Sequence, residues 1–147
     1  MPYRERVQPS TPLLALAALA GASFGLILVP LSVPVAAVVS TLLALACVAF
    51  ALVASPLIEV DAAGFRAGPA RIEGEFLGAV ETLDKEAIRR AMGVDADARA
   101  YLCHRGYAGG AVKVTIDDSL DPAPYWLVSS NRPDSLAQAL RALTATV

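Results

Sequence analysis

The chain has 147 residues, a formal net charge of -2, 56% hydrophobic residues and only 18% charged ones, against roughly 25% charged in an ordinary soluble domain. The deficit is local, because no charged side chain lies between Arg6 and Glu59. Such a run excludes a wholly soluble globular chain, and the remainder is long enough for one small domain. No block of Lys and Arg suggests a nucleic-acid surface, so no nucleic-acid partner is expected.

Residues 1–12 read as a cytoplasmic N-terminal flank and residues 13–55 as a transmembrane helical hairpin. A bilayer core of ~30 Å needs about 20 helical residues, so the uncharged run is too long for one span. It divides at Val29-Pro30-Leu31-Ser32-Val33-Pro34, where two prolines remove backbone donors and crowd the preceding turn. Two spans remain, 13–29 and 35–53, joined closely enough to lie antiparallel. Pro12 and Pro34 fall at helix starts, where proline is tolerated. Arg4 and Arg6 followed by Ala18-Leu19-Ala20 share features with a cleaved signal peptide. The apolar stretch before that site is short, however, and continues past it without a polar break, so the segment is expected to remain. The connecting loop has no Lys or Arg, whereas Arg4, Arg6, Arg66 and Arg71 flank the spans. The positive-inside bias therefore places both termini in the cytoplasm and the protein in the inner membrane, with the lipid bilayer as its first partner.

Small residues recur every four positions, Ala17, Gly21 and Gly25 in the first span and Ala36, Ser40 and Ala44 in the second. Such ridges let backbones approach closely, either within the hairpin or between copies as a homo-oligomer. No ionisable side chain lies in either span, which argues against an ion or proton pathway. Cys47 and Cys103 are expected to be free thiols, since pairing would draw the second part of the chain into the bilayer.

Residues 57–147 read as a small cytoplasmic α+β domain. Strands are expected over 57–60, 65–67, 70–73, 76–83, 100–104, 111–117 and 125–130. In the sixth, Val112, Val114 and Ile116 alternate with Lys113, Thr115 and Asp117. Asp84 caps a short helix that carries Ile88 and Met92 on one face and stops at Gly93. Pro133 starts a closing helix whose Leu136, Leu140 and Leu143 form an apolar stripe that must cover the sheet. An antiparallel curved sheet capped by a C-terminal helix looks like the pleckstrin-homology-like architecture.

This layout, with Glu59-Val60-Asp61, Tyr101-Leu102-Cys103-His104-Arg105-Gly106-Tyr107 and Pro124-Tyr125-Trp126-Leu127-Val128-Ser129-Ser130-Asn131-Arg132-Pro133, resembles an uncharacterised family of small actinobacterial two-span membrane proteins. The resemblance covers nearly the whole chain and departs at Tyr107, where tryptophan is more usual. It implies location and shape, and no activity.

Little in the sequence signals chemistry. His104 is the single histidine and Cys103, its neighbour, points to the opposite face of a strand, so no metal site is expected. Ser129 and Ser130 lie on a strand rather than a nucleophile turn, and the acidic pairs read as solvated faces. No catalytic residue and no cofactor is expected. Arg105, Tyr107, Tyr125, Trp126 and Arg132 combine the residue types enriched at binding hot spots and membrane interfaces, and are the candidate binding residues. The alternative for Trp126 is core filling, and of Tyr125 and Trp126 only one is expected to face the core. The resulting expectation is a membrane-tethered binding or scaffold module for a protein partner or lipid headgroup. An accessory subunit or enzyme acting on a membrane-bound substrate is the alternative, and a hairpin serving as helix partner of a larger complex is a third reading.

Overall fold

Proline and glycine punctuate residues 8–55 into α1 (Thr11–Gly25), a 3₁₀ turn (Leu26–Leu28) and α2 (Val33–Val53), with Pro12 and Pro34 each in a first helical turn. These boundaries come from a computed structural model that describes residues 2–145. It divides into two units, residues 8–55 and a domain built from residues 1–7 and 56–147.

The 21 residues of α2 span about 30 Å at 1.5 Å per residue, and α1 with its 3₁₀ turn adds 18 more. Both helices are apolar all round. Leu16, Leu19, Phe24 and Ile27 on one, and Leu42, Leu45, Phe50 and Val53 on the other, face outward. Only 11% and 6% of the two apolar stretches are buried. Core helices of a soluble protein would be mostly buried, so these are helices long and apolar enough to cross a membrane. The hydroxyls of Ser23, Thr41 and Ser55 each donate to a carbonyl of their own helix, at 2.7, 2.9 and 3.0 Å. That removes the cost of a bare hydroxyl in an apolar medium.

The small-residue ridge lies inside the hairpin. Gly21 is buried against Leu43 and Ala44, and Gly25 against Ser40. Ala36 is buried too, while Ala17, Ser40 and Ala44 are half-buried. A Cβ on Gly21 would sit 2.6 Å from the Leu43 carbonyl oxygen. The ridge thus takes part in α1–α2 packing.

The domain contains two four-stranded sheets. The first runs β1 (Tyr3–Arg6), β2 (Leu57–Asp61), β3 (Gly64–Ala67), β4 (Ala70–Ile72) in that order, all antiparallel. The β2–β3 turn needs Gly64, whose φ of +139° disfavours any side chain. The second contains β5 (Leu77–Leu83), β6 (Tyr101–Cys103), β7 (Gly110–Ile116) and β8 (Tyr125–Ser130) in the order β5-β7-β8-β6. Two helices complete the domain, α3 (Lys85–Ala91) and α4 (Pro133–Thr144). The main core includes Ile58, Val60, Phe65, Val112, Val114, Trp126 and Val128, with Leu136 and Leu140 of α4 fully buried upon it. Leu143 packs at its margin, so the stripe covers the sheets as its spacing requires.

Three expectations are corrected here. Residues 1–12 are not a mere flank, because Tyr3–Arg6 forms an edge strand paired to β2 from Tyr3↔Val60 to Arg6↔Leu57. The domain boundary at 57 therefore excludes a strand that belongs to it. A four-residue strand that buries a glutamate shows no apolar alternation by which to recognise it. The single antiparallel sheet is instead two sheets, and β6 runs parallel to β8. Thirdly, Tyr125 and Trp126 are both buried, at 7% and 4% exposure. They do point to opposite faces of β8, but each face has a cover. The main core lies on one side, and α3 on the other, with Ile88 and Ala91 against Ala111, Tyr125 and Leu127.

Glu5 fastens the N-terminal strand to the second sheet. It is 6% exposed, and its Oε2 accepts from Tyr3 Oη and Ser130 Oγ, both at 2.6 Å. Its Oε1 accepts from the Asn131 amide at 2.9 Å. The Arg132 amide donates to Ser130 Oγ at 2.9 Å, and the Arg132 guanidinium lies 5.5 Å from the Tyr3 ring centroid. Burial, with Glu5 alongside, pushes the Tyr3 phenol above its ordinary pKa. Aromatic contacts add to the join, with Trp126 5.7 Å from Phe65 and 4.7 Å from Tyr101 between ring centroids.

Two stability predictions result. Glu5→Ala removes the acceptor of three donors, of which Ser130 is buried, so it should destabilise the domain by about 3 kcal/mol. Glu5→Gln, which keeps one of the two acceptor oxygens, should cost less, as measured by urea unfolding of the full chain in detergent. Gly25→Leu should lower the unfolding temperature of the solubilised hairpin through overpacking of about 1–3 kcal/mol. Leu42→Ala on the outer face should not, and circular dichroism melts of both variants provide the check.

Candidate functional site

Strand alternation and one parallel pairing bring together residues that are distant in sequence. On β8, Trp126 and Val128 belong to the main core and Tyr125 and Leu127 to the α3 side. Ser129 follows onto the α3 side by the two-residue period. The β6–β8 register pairs Cys103 with Val128, so His104, the next residue, comes beside Ser129. The His104 Nδ1 to Ser129 Oγ distance is 2.8 Å.

The opposing wall is α3. Asp84 caps it by accepting from the Ala87 amide at 2.7 Å, and Ile88 and Ala91 anchor it to the sheet. That anchoring leaves Lys85 and Arg89, one helical turn apart, beside an open groove of about 550 Å³. Ile88 and Met92 line its α3 side, and His104, Gly106 and Ala108 its other side. Met92 is exposed here rather than packed inward with Ile88. No acidic side chain lines the groove. Among the described residues the ion pairs are Arg71–Asp61 and Arg99–Asp97, so Lys85 and Arg89 face the groove without a carboxylate partner.

The hydrogen bonds around Ser129 orient the His104 ring. The Arg105 amide donates to Ser129 Oγ at 2.9 Å. The hydroxyl proton is left for His104 Nδ1 at 2.8 Å or the Arg105 carbonyl oxygen at 3.4 Å. The 2.8 Å contact engages Nδ1 and leaves Nε2 as the ring edge turned away from Ser129. Burial, followed by the Arg105 charge, holds the imidazole pKa below its ordinary 6.5. Ser129 has no exposed surface, and no described carboxylate bonds the ring. The pair thus orients an imidazole and lacks the accessible nucleophile and orienting acid of a hydrolytic triad.

The five residues singled out by composition are dispersed. Trp126 fills the main core, and Tyr125 lies under α3 with the Lys113 ammonium 4.5 Å from its ring centroid. Tyr107 donates from its hydroxyl to the Val7 carbonyl at 3.1 Å, at the end of the N-terminal strand. Arg132 lies over Tyr3 beside Glu5, and Arg105 stands next to His104, bonding its carbonyl oxygen at 3.3 Å. Only Arg105 adjoins the groove. The sequence reading missed Lys85 and Arg89, and weighed Ser129 only as a nucleophile. The spacing of Lys85 and Arg89 behind an N-capping Asp84 was the available signal, whereas the His104–Ser129 contact exists only through the non-local β6–β8 pairing.

Among the described residues no cluster of three or more His, Cys, Asp or Glu could hold a metal ion. Cys47 and Cys103 are free, and burial pushes the Cys103 thiol above its ordinary pKa.

His104 provides a pH prediction. Its pKa is lower folded than unfolded, so the unfolded chain takes up the proton first as pH falls through 6.5. Folded-state stability should decline from there down to the lowered pKa and level off below it. Arg105→Gln should move the imidazole titration back upward in part, because burial, the larger cause, remains. Proton NMR of the single histidine reads both effects.

A family model described as a protein of unknown function (DUF3093) matches residues 2–140. No curated protein and no solved structure matches the chain.

Proposed function

Since the chain belongs to the DUF3093 family, we propose that it is an integral two-span protein of the cytoplasmic membrane whose domain is a tethered binding or scaffold module. The observation that carries this reading is the closure of residues 8–55 at their base. β1 pairs with β2, and the Val7 amide donates to the Pro56 carbonyl at 3.1 Å. Both ends of the apolar segment therefore leave from one sheet and must lie on the same side of any bilayer it crosses. An even number of crossings satisfies that condition, and two helices of spanning length are present. Arg4, Arg6, Arg66 and Arg71 near those ends, with no Lys or Arg between the helices, favour the cytoplasmic side for the domain and both termini.

The domain layout supports a pleckstrin-homology-like assignment. Two four-stranded sheets share one core, and the C-terminal helix closes it. The parallel strand β6 is an addition to that plan. A binding role agrees with an open groove whose cations lack partners. Tethering keeps such a groove at high local concentration near membrane-borne ligands without new contacts. The second reading, an accessory subunit or enzyme acting on a membrane-bound substrate, would use the same groove and anchor.

Cell fractionation tests the anchoring. The chain should sediment with membranes, resist alkaline carbonate washing and require detergent for release. Reporters fused at Val147 should be active in the green-fluorescent form and silent as secreted phosphatase. Release by carbonate, or the reverse reporter pattern, would remove the two-span cytoplasmic reading.

A further inference from the structure

We infer that the groove beside α3 binds a phosphate monoester group, free or carried on a lipid headgroup, with Lys85 and Arg89 as fixed cations and His104 as a third, titratable donor. This rests on the binding-module reading and adds the ligand chemistry to it. Three observations carry it. The lining holds Lys85, Arg89 and His104 and no acidic side chain. Neither Lys85 nor Arg89 is engaged in an ion pair among the described residues. The buried Ser129 hydroxyl holds Nδ1 at 2.8 Å, so that Nε2 is the ring edge left facing away from β8.

The chemistry of the donors selects the ligand. Lys85 and Arg89 approach from α3 and His104 from the sheet side, so hydrogen-bond donors reach the groove from two walls. A phosphate monoester offers three terminal oxygens and up to two negative charges, matching two permanent cations and one neutral or protonated donor. A carboxylate offers two oxygens in one plane and a single charge. Arg89 can bond two phosphate oxygens at once, while Lys85 acts as a point charge. Ile88, Met92 and Ala108 supply apolar wall for the organic part of the ester.

A pH response is built into this arrangement. The charge acting on the ring is Arg105 from its own loop, while Lys85 and Arg89 line the same groove from α3, Ser129 of β8 is the hydrogen-bond partner and Lys113 of β7 is engaged over Tyr125. All are cationic or neutral, so the empty groove disfavours the imidazolium. A bound dianion reverses that balance and raises the imidazole pKa, and by linkage the ligand binds more tightly as pH falls. Ser129 is a positioning residue in this scheme.

The test uses the full chain with isotope-labelled histidine, since His104 is the one histidine present. In neutral detergent micelles, inorganic phosphate should produce a saturable shift of the ring signals and a raised pKa. Lys85→Gln/Arg89→Gln, both on exposed positions, should weaken the response by about tenfold or more. Ser129→Ala should change the ring nitrogen signals and weaken phosphate binding, with circular dichroism unchanged. In phosphate-free buffer, phosphatidylcholine nanodiscs with phosphatidic acid are compared with nanodiscs carrying phosphatidylglycerol. A response to phosphatidic acid alone assigns the site to a lipid headgroup, and a response to inorganic phosphate assigns it to a free ligand; either supports the inference. Four results overturn it: no response in either arm, an undiminished response in the double variant, equal responses to both lipids, or a response to poly-glutamate alone, which would mark an acidic protein partner. None of these alters the outcome of fractionation, so failure here is distinguishable from failure of the anchoring.

Discussion

The pairing of β1 with β2 closes the chain on itself across residues 8–55, and Glu5 secures that closure to the rest of the domain. Without it the first sheet would lose its outer strand. The buried carboxylate reaches this role because each oxygen is satisfied, by two hydroxyls and one backbone amide. A buried acid left short of partners would instead be a source of instability. Ser130 serves two elements at once, donating to Glu5 and accepting from the Arg132 amide at the start of α4. One side-chain network therefore joins the N-terminal strand, the end of β8 and the closing helix.

A second constraint is that β8 is covered on both faces. All six of its residues are buried, which is why the stretch from Tyr125 to Ser130 carries so much apolar and aromatic weight. Covering the second face requires α3, a helix of only seven residues, which leaves a gap between itself and the segment of His104, Gly106 and Ala108. That gap is the groove. Lys85 and Arg89 stand there because Ile88 and Ala91 must face the sheet, and the helical period then turns the basic pair toward the gap. The site is thus a consequence of how a short helix packs, supported from beneath by the Ser129 hydroxyl.

The hairpin obeys a different physics. Its outward surface is apolar in every direction, its hydroxyls bond to their own backbone, and its two buried glycines permit backbone contact that any side chain would block. In such a segment the packing term comes from close approach rather than from an apolar stripe. In the domain, by contrast, α4 is held by a leucine stripe on a shared core.

The apolar segment, its division at the two prolines, and most strand positions were legible from the sequence, because uninterrupted hydropathy, proline sterics and two-residue alternation are local properties. Tyr125–Ser130 and the stripe of Leu136, Leu140 and Leu143 are read directly from spacing. What needed the tertiary structure was every relation between distant segments. Tyr3–Arg6 is a strand only because β2 offers it an edge, and Glu5 is buried only because Ser130, more than a hundred residues later, answers it. His104 meets Ser129 only through a parallel pairing that no local pattern announces. Local patterns record which face of an element is apolar. The partner that covers that face, and hence where polar groups converge, is decided by packing among residues far apart in the chain.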